Sequence, residues 1–146
     1  MTIPFQYYLR VRYSECDAQR VVFNARYGDY VDLAITYFLK TVLSQHQLAW
    51  QGLDYQVVKY DIEWQAPARF DEVLAIGVEV IHVGTTSVVF RTHIRQANDE
   101  THVAKADTVA VVVDSHTLQK TPVAEPLKQA LLAGAPSAWV DHAGWL

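Results

Sequence analysis

The sequence has 146 residues, 51% hydrophobic and 19% charged, which excludes a disordered chain and predicts one domain, 1–146, with its own core. A net charge of −4 gives no basic field to recruit nucleic acid or an anionic membrane, and no apolar run is long enough to cross a bilayer. A single cysteine, Cys16, excludes an internal disulfide and a cysteine-rich zinc site.

The opening segment MTIPFQYYLR has no basic flank ahead of an apolar run, so no secretory signal is expected and a cytoplasmic protein is the default reading. Phe5, Tyr7, Leu9, Val11 and Tyr13 alternate with Gln6, Arg10 and Arg12, the period of a half-buried strand. Ser14 to Phe23 breaks that period and is read as a loop.

The period then changes to that of a helix. Tyr27, Tyr30, Val31, Ala34, Ile35, Phe38, Leu39, Val42 and Leu43 fall on one wide stripe. Asn24 is expected to cap the helix, Asp29 and Asp32 lie in its first half and Lys40 in its last turn, as the helix dipole prefers. A helix of this length is about 30 Å long and needs a large surface to cover its stripe. Ser44 to Trp50 is expected to form a short second helix ended near Gly52.

Four strand-like runs follow: Val58 to Trp64, Val73 to Val83, Val88 to Ile94 and Val103 to Asp114. Turn residues separate them at Pro67, Gly84 and Asn98-Asp99. Pro126 suits the first turn of a closing helix, Leu127 to Ala133. One long helix followed by a run of strands predicts an α+β fold, an antiparallel sheet wrapped on the helix. A single helix cannot cover both faces of that sheet, so a second copy is expected at the other face or at an edge.

The chain has no G-x-S-x-G, P-loop, G-x-G-x-x-G or H-E-x-x-H motif, so hydrolase-elbow, NTPase, dinucleotide and zincin readings lose their support. Its six histidines form no ligand spacing, and no metal site is expected. Cys16 precedes the helix start, where a thiolate would be favoured, but has no His or Lys beside it. Asp17 is the better candidate. It stands between a strand end and a helix N-terminus, where free backbone N–H groups can stabilise an oxyanion while a carboxylate acts as base or nucleophile. The structural alternative is an ordinary turn or capping aspartate.

Tyr13-Ser14-Glu15-Cys16-Asp17 and Val21-Val22-Phe23-Asn24-Ala25-Arg26-Tyr27 together resemble the signature of the 4-hydroxybenzoyl-CoA thioesterase family of hotdog-fold proteins. That signature runs from a strand ending in Tyr or Phe through D-x-D or a close variant to an N-A-x-Y helix start. Pro67-Ala68-Arg69-Phe70-Asp71-Glu72 is similar to the family's P-A-R-x-G-D-E turn, and Gly84-Thr85-Thr86-Ser87, Val103-Ala104-Lys105-Ala106 and Val113-Asp114 extend the likeness.

The resemblance implies a hotdog fold, a homodimer often paired into a homotetramer, and an active site at the dimer interface. It places Asp17 at the catalytic aspartate, as nucleophile or as base for water. The backbone N–H at Asn24 takes the position that polarises the thioester carbonyl. The implied reaction is hydrolysis of an acyl-CoA thioester, with no cofactor. The rival is a non-catalytic acyl-thioester-binding protein of the same fold. A purely structural dimer is the third reading.

Gln19-Arg20 departs from the family's Gly-Gly or Gly-His, which limits positive φ there and adds bulk near the substrate. Arg20 is a candidate contact for a CoA phosphate or for the acyl group. Tyr27 and Trp64, with Tyr7 and Tyr30, are candidates to line an aromatic pocket or to pack in the core; Arg69, Arg91 and Arg95 are further basic candidates. Two other hotdog chemistries lack their residues. Position 22, five after Asp17, is Val rather than His, and the helix from Asn24 to Leu43 holds no Glu.

Overall fold

The computed structural model describes residues 3–146. Met1 and Thr2, the first letters of the opening segment read above, lie outside them. Strand β1 spans Phe5–Arg10 and buries Phe5, Tyr7 and Leu9 as its alternation demands. Val11 continues the buried face, but Tyr13 turns into solvent, 78% exposed. The cause is a 3-10 turn at Tyr13–Glu15 that swings the chain out of the sheet.

Helix α1 spans Tyr27–Gln45, and its buried residues are the nine of the expected stripe. Burying each large side chain of that stripe contributes roughly 1.5–3 kcal/mol. Phe38, fully buried, lies edge-on to Phe5 at 5.7 Å and to Phe90 at 6.2 Å. These contacts seat the helix on the inner face of the sheet.

Asn24 is not the cap it was expected to be. It begins a 3-10 turn, Asn24–Arg26, that leads into α1, and the extended residue ahead of that turn is Phe23. No side chain caps either helical start. The expected second helix at Ser44–Trp50 is also absent. Leu48 N–H reaches Leu43 O at 2.8 Å and Gln47 N–H reaches Ser44 O at 3.2 Å, with Gln47 at φ 56°. That pair of bonds around a left-handed residue is a Schellman stop. Gln47 takes the place glycine usually holds, so the sequence carries no glycine signal for the ending.

Strand β2 spans Leu53–Trp64, five residues longer than its expected start at Val58. A bulge between Val57 and Lys59 explains the difference. The extra residue, Val58, puts Tyr55 and Val57 out of phase with Tyr60, Ile62 and Trp64, so no single alternation spans the strand. β3 (Val73–Val83), β4 (Ser87–Gln96) and β5 (His102–Asp114) follow as expected. α2 (Glu125–Ala133) carries Pro126 in its first turn and buries Leu127, Ala130 and Leu131.

A last short strand, β6 (Trp139–Asp141), has no counterpart in the sequence reading. It pairs in parallel with β1, Tyr7 opposite Val140. The six-stranded sheet therefore runs β2-β5-β4-β3-β1-β6 and is mixed, antiparallel at every pairing but the last. Its two edges are β2 and β6.

Candidate active site

The Asp17 loop leaves β1 through the 3-10 turn and returns as a small hairpin. Asp17 N–H donates to Val21 O at 2.9 Å, Cys16 bridges Val22, and Phe23 N–H donates to Glu15 O at 2.9 Å. The returning arm is tied to the turn after β2 by Val22 N–H to Ala68 O at 2.8 Å and by a bridge between Val21 and Arg69. Those ties bring Phe70 beside the loop. A cleft of about 550 Å³ opens between them, lined by Tyr13, Cys16, Asp17, Ala18, Arg20 and Phe70. The exposed rings of Tyr13 and Phe70 meet edge-to-face at 5.8 Å and form one wall.

Within this cleft Asp17 is exposed, and its Oδ1 accepts the Gln19 N–H at 2.8 Å. Its Oδ2 has no hydrogen-bond partner among the described residues. The carboxylate is thus oriented through one oxygen with the other open, the state a nucleophile or base requires. Arg20 adopts φ 65°. The loss of glycine at this position was expected to limit positive φ, yet the chain takes the left-handed turn at a conformational cost of about 1–2 kcal/mol. Arg20 has no carboxylate partner among the described residues, whereas Arg10, Arg12 and Arg26 pair with Asp71, Glu15 and Asp29.

Cys16 is a poor nucleophile here. Burial, followed by the negative charges of Glu15 and Asp17, raises its thiol above the ordinary value. Its Sγ contacts Arg12 O at 3.7 Å.

Asn24, Tyr27 and Trp64 do not line the cleft with Asp17 and Arg20. Asn24 stands at the foot of the hairpin's returning arm; its N–H is among the first of the helical start and makes no backbone bond among the described residues. Tyr27 is buried; its hydroxyl accepts the Ala68 N–H at 3.3 Å, and its ring meets Trp64 edge-on at 6.1 Å. Burial is the main cause raising the Tyr27 hydroxyl above its ordinary value. Trp64 is half exposed at the end of β2, and neither it nor Tyr27 lines a second groove, which begins at Gly28, the residue after Tyr27.

That groove, about 220 Å³, runs between α1 and β2 and is lined by Gly28, Val31, Asp32, Ile35, Tyr55, Val57, Tyr60 and Thr108. Burial pushes the Tyr60 hydroxyl up to about 12. Thr108 Oγ1 is buried without a hydrogen-bond partner among the described residues. The bulge at Val58 lets both Val57 and Tyr60 face the groove, so the feature hidden in the sequence pattern is also the one that shapes it. Of the other basic candidates, Arg91 is held by Asp107 through two bonds of 2.9 and 3.0 Å. Arg69 stands next to Phe70 at the cleft, through its bridge to Val21.

Glu15 was missed by the sequence reading. It is 7% exposed. Oε1 accepts the Arg12 N–H at 2.8 Å and the Tyr30 hydroxyl at 2.9 Å; Oε2 accepts from the Arg12 guanidinium at 2.9 and 3.2 Å. Burial alone would push its carboxyl up, but the hydrogen bonds from Arg12 and Tyr30 and the charge of Arg12 outweigh it and hold the carboxyl below the ordinary value. The sequence shows Glu15 only as the first acid of the Glu15-Cys16-Asp17 match to the family's D-x-D; its bond to Tyr30, fifteen positions away, has no local signal.

The sequence pattern of the thioesterase-like superfamily matches residues 11–131, from the end of β1 to α2. The chain belongs to the thioesterase-like superfamily. By that membership it is an enzyme, a thioesterase, as the resemblance implied. It is 34% identical over 130 residues to the acyl-CoA thioester hydrolase YbgC of Escherichia coli O6:H1, covering 85% of this chain and 96% of that one. It is 30% identical over 124 residues to the acyl-CoA thioesterase YbgC of Haemophilus influenzae, covering 84% and 88%. The fold matches the crystal structure of YbaW, a probable thioesterase from Escherichia coli, with a TM-score of 0.75 at 23% identity, covering 87% of this chain and 96% of that one. The expected hotdog fold is the one observed, with β6 as an addition to the antiparallel part of the sheet.

Proposed function

We propose that this thioesterase hydrolyses an acyl-CoA thioester to a free acid and CoA, with Asp17 as the reacting carboxylate. The observation that carries the reading is the placement of Asp17, exposed and half-engaged, in a cleft at the junction of β1 and the start of α1. The names of the two YbgC relatives support the CoA thioester as substrate.

Asp17 either attacks the carbonyl carbon, giving an anhydride that water then cleaves, or removes a proton from the attacking water. Either route breaks the C–S bond and releases the thiolate of CoA, a good leaving group. The oxyanion forms against the Asn24 N–H, where the helical start concentrates partial positive charge. Arg20 contacts the substrate at the cleft, and Tyr27 with Trp64 forms the entrance to the groove along α1, which takes the acyl group. The groove's apolar walls and its start one helical turn after Asn24 support that assignment.

The working unit in this reading is a homodimer, which can pair further into a tetramer, built from one domain per chain. Its support is β2, a twelve-residue edge strand that leaves Val57, Val58, Tyr60 and Trp64 exposed. Such an edge invites pairing with a second copy. The test is release of free thiol from short, long and aromatic acyl-CoAs. Turnover of at least one class is expected; saturable binding with no thiol released from any of them points to the non-catalytic binding protein.

A further inference from the structure

The geometry points to Glu15 as the positioning residue that holds the Asp17 loop in register with the start of α1. This assignment rests on the proposed role of Asp17, but the structural tie itself does not.

Three elements converge on this one residue. The side chain receives the Arg12 N–H and so closes the 3-10 turn by which the chain leaves β1. The same oxygen receives the hydroxyl of Tyr30, a fully buried residue of α1. The main-chain carbonyl receives the N–H of Phe23, the residue immediately before Asn24. Glu15 therefore bonds to the outgoing arm, to the helix and to the returning arm, and Asp17 follows it by two residues. The loop's other ties, from Asp17 to Val21 and from the returning arm to Ala68 and Arg69, are not made to α1 itself, and its tip residues Asp17, Ala18, Gln19 and Arg20 are all exposed.

Burying a carboxylate is costly unless it is fully paired, and a residue with no role beyond packing would be cheaper as an apolar one. Here the charge receives four side-chain-directed hydrogen bonds, two of them from a guanidinium. Directional bonds fix an angle, as apolar contact does not. Misplacing a reacting group by about 1 Å can cost on the order of 100-fold in rate, so a loose joint at Glu15 would be felt at Asp17.

The test uses Glu15→Gln and Tyr30→Phe, both of which keep the shape of the side chain, and two readouts. In thioester hydrolysis, Glu15→Gln is expected to lower kcat at least tenfold with KM changed less than threefold. Tyr30→Phe is expected to lower kcat in the same sense, and the double variant to lose less than the two single losses multiplied, since both cut one tie. In the ligand-free protein, amide hydrogen exchange across residues 16–20 is expected to quicken at least tenfold in Glu15→Gln. Parental kcat in Glu15→Gln would overturn the positioning role, and so would parental exchange across the loop. Faster exchange in a protein that hydrolyses no thioester would support the tie and remove only the catalytic reading of Asp17.

Discussion

Tyr30 donates its hydroxyl to Glu15 Oε1 at 2.9 Å, joining a fully buried position of α1 to the turn that ends β1. The tie is electrostatic as well as geometric, so it depends on pH. Because the folded protein holds the Glu15 carboxyl below its ordinary 4.5, ionised Glu15 stabilises the fold above that pH. The contribution is lost as pH falls through the lowered folded value. Other carboxylates held low, Asp107 and Asp141 among them, weaken the parent and a Glu15→Gln variant alike in acid. The gap between the two melting temperatures isolates Glu15. It is expected to be constant from pH 7 to 5 and to close below pH 4.5; a gap that stays constant into acid contradicts the account.

Gly28 gives the groove along α1 its width at the end nearest Asn24. A methyl group added there meets only Tyr60 Cε2, at 3.8 Å. Gly28→Ala is therefore expected to stabilise the helix by up to about 1 kcal/mol, a rise of about 2–4 °C in Tm by calorimetry. Gly28→Leu fills the groove. Its expected signature is a shift in selectivity, measured as kcat/KM ratios, away from longer acyl groups by at least tenfold. Unchanged ratios would separate the groove from the acyl group.

Val58, the extra residue of the β2 bulge, is 60% exposed on the edge strand proposed to join two copies. A charge at that position must be desolvated if the edge is paired and stays in water if it is not. Val58→Glu is expected to halve the molar mass seen by light scattering and to reduce thiol release by at least tenfold. An unchanged mass would place the contact between copies elsewhere.

The parts of the fold legible in the sequence are those set by one uninterrupted period. The nine buried residues from Tyr27 to Leu43 and the alternation of β4 are of that kind. Where a backbone irregularity resets the phase, the pattern fails. Val58 hid the first half of β2, the left-handed Gln47 ended α1 where a second helix was expected, and three residues of β6 are too few to show a period. Asn24 looked like a cap because its side chain suits one, but the chain had already turned helical at that position. The Asp17 loop was legible through its place between β1 and α1. Glu15, a buried charge two residues before Asp17, was legible only as part of the D-x-D-like signature, because its bond is to a hydroxyl in the first turn of α1, fifteen positions away.

The proposed hydrolysis requires the Asp17 carboxylate, and replacement by asparagine removes its charge while preserving its size. Asp17 is exposed, and an amide oxygen can still accept the Gln19 N–H, so Asp17→Asn is expected to melt within about 2 °C of the parent. The deciding measurement is thiol release by Asp17→Asn on the parent's best acyl-CoA, at saturating substrate. A fall in kcat on the order of 100- to 10,000-fold is expected, the usual contribution of a positioned acid or base. Hydrolysis within a few-fold of the parent would show that the reaction proceeds without Asp17 and would contradict the site.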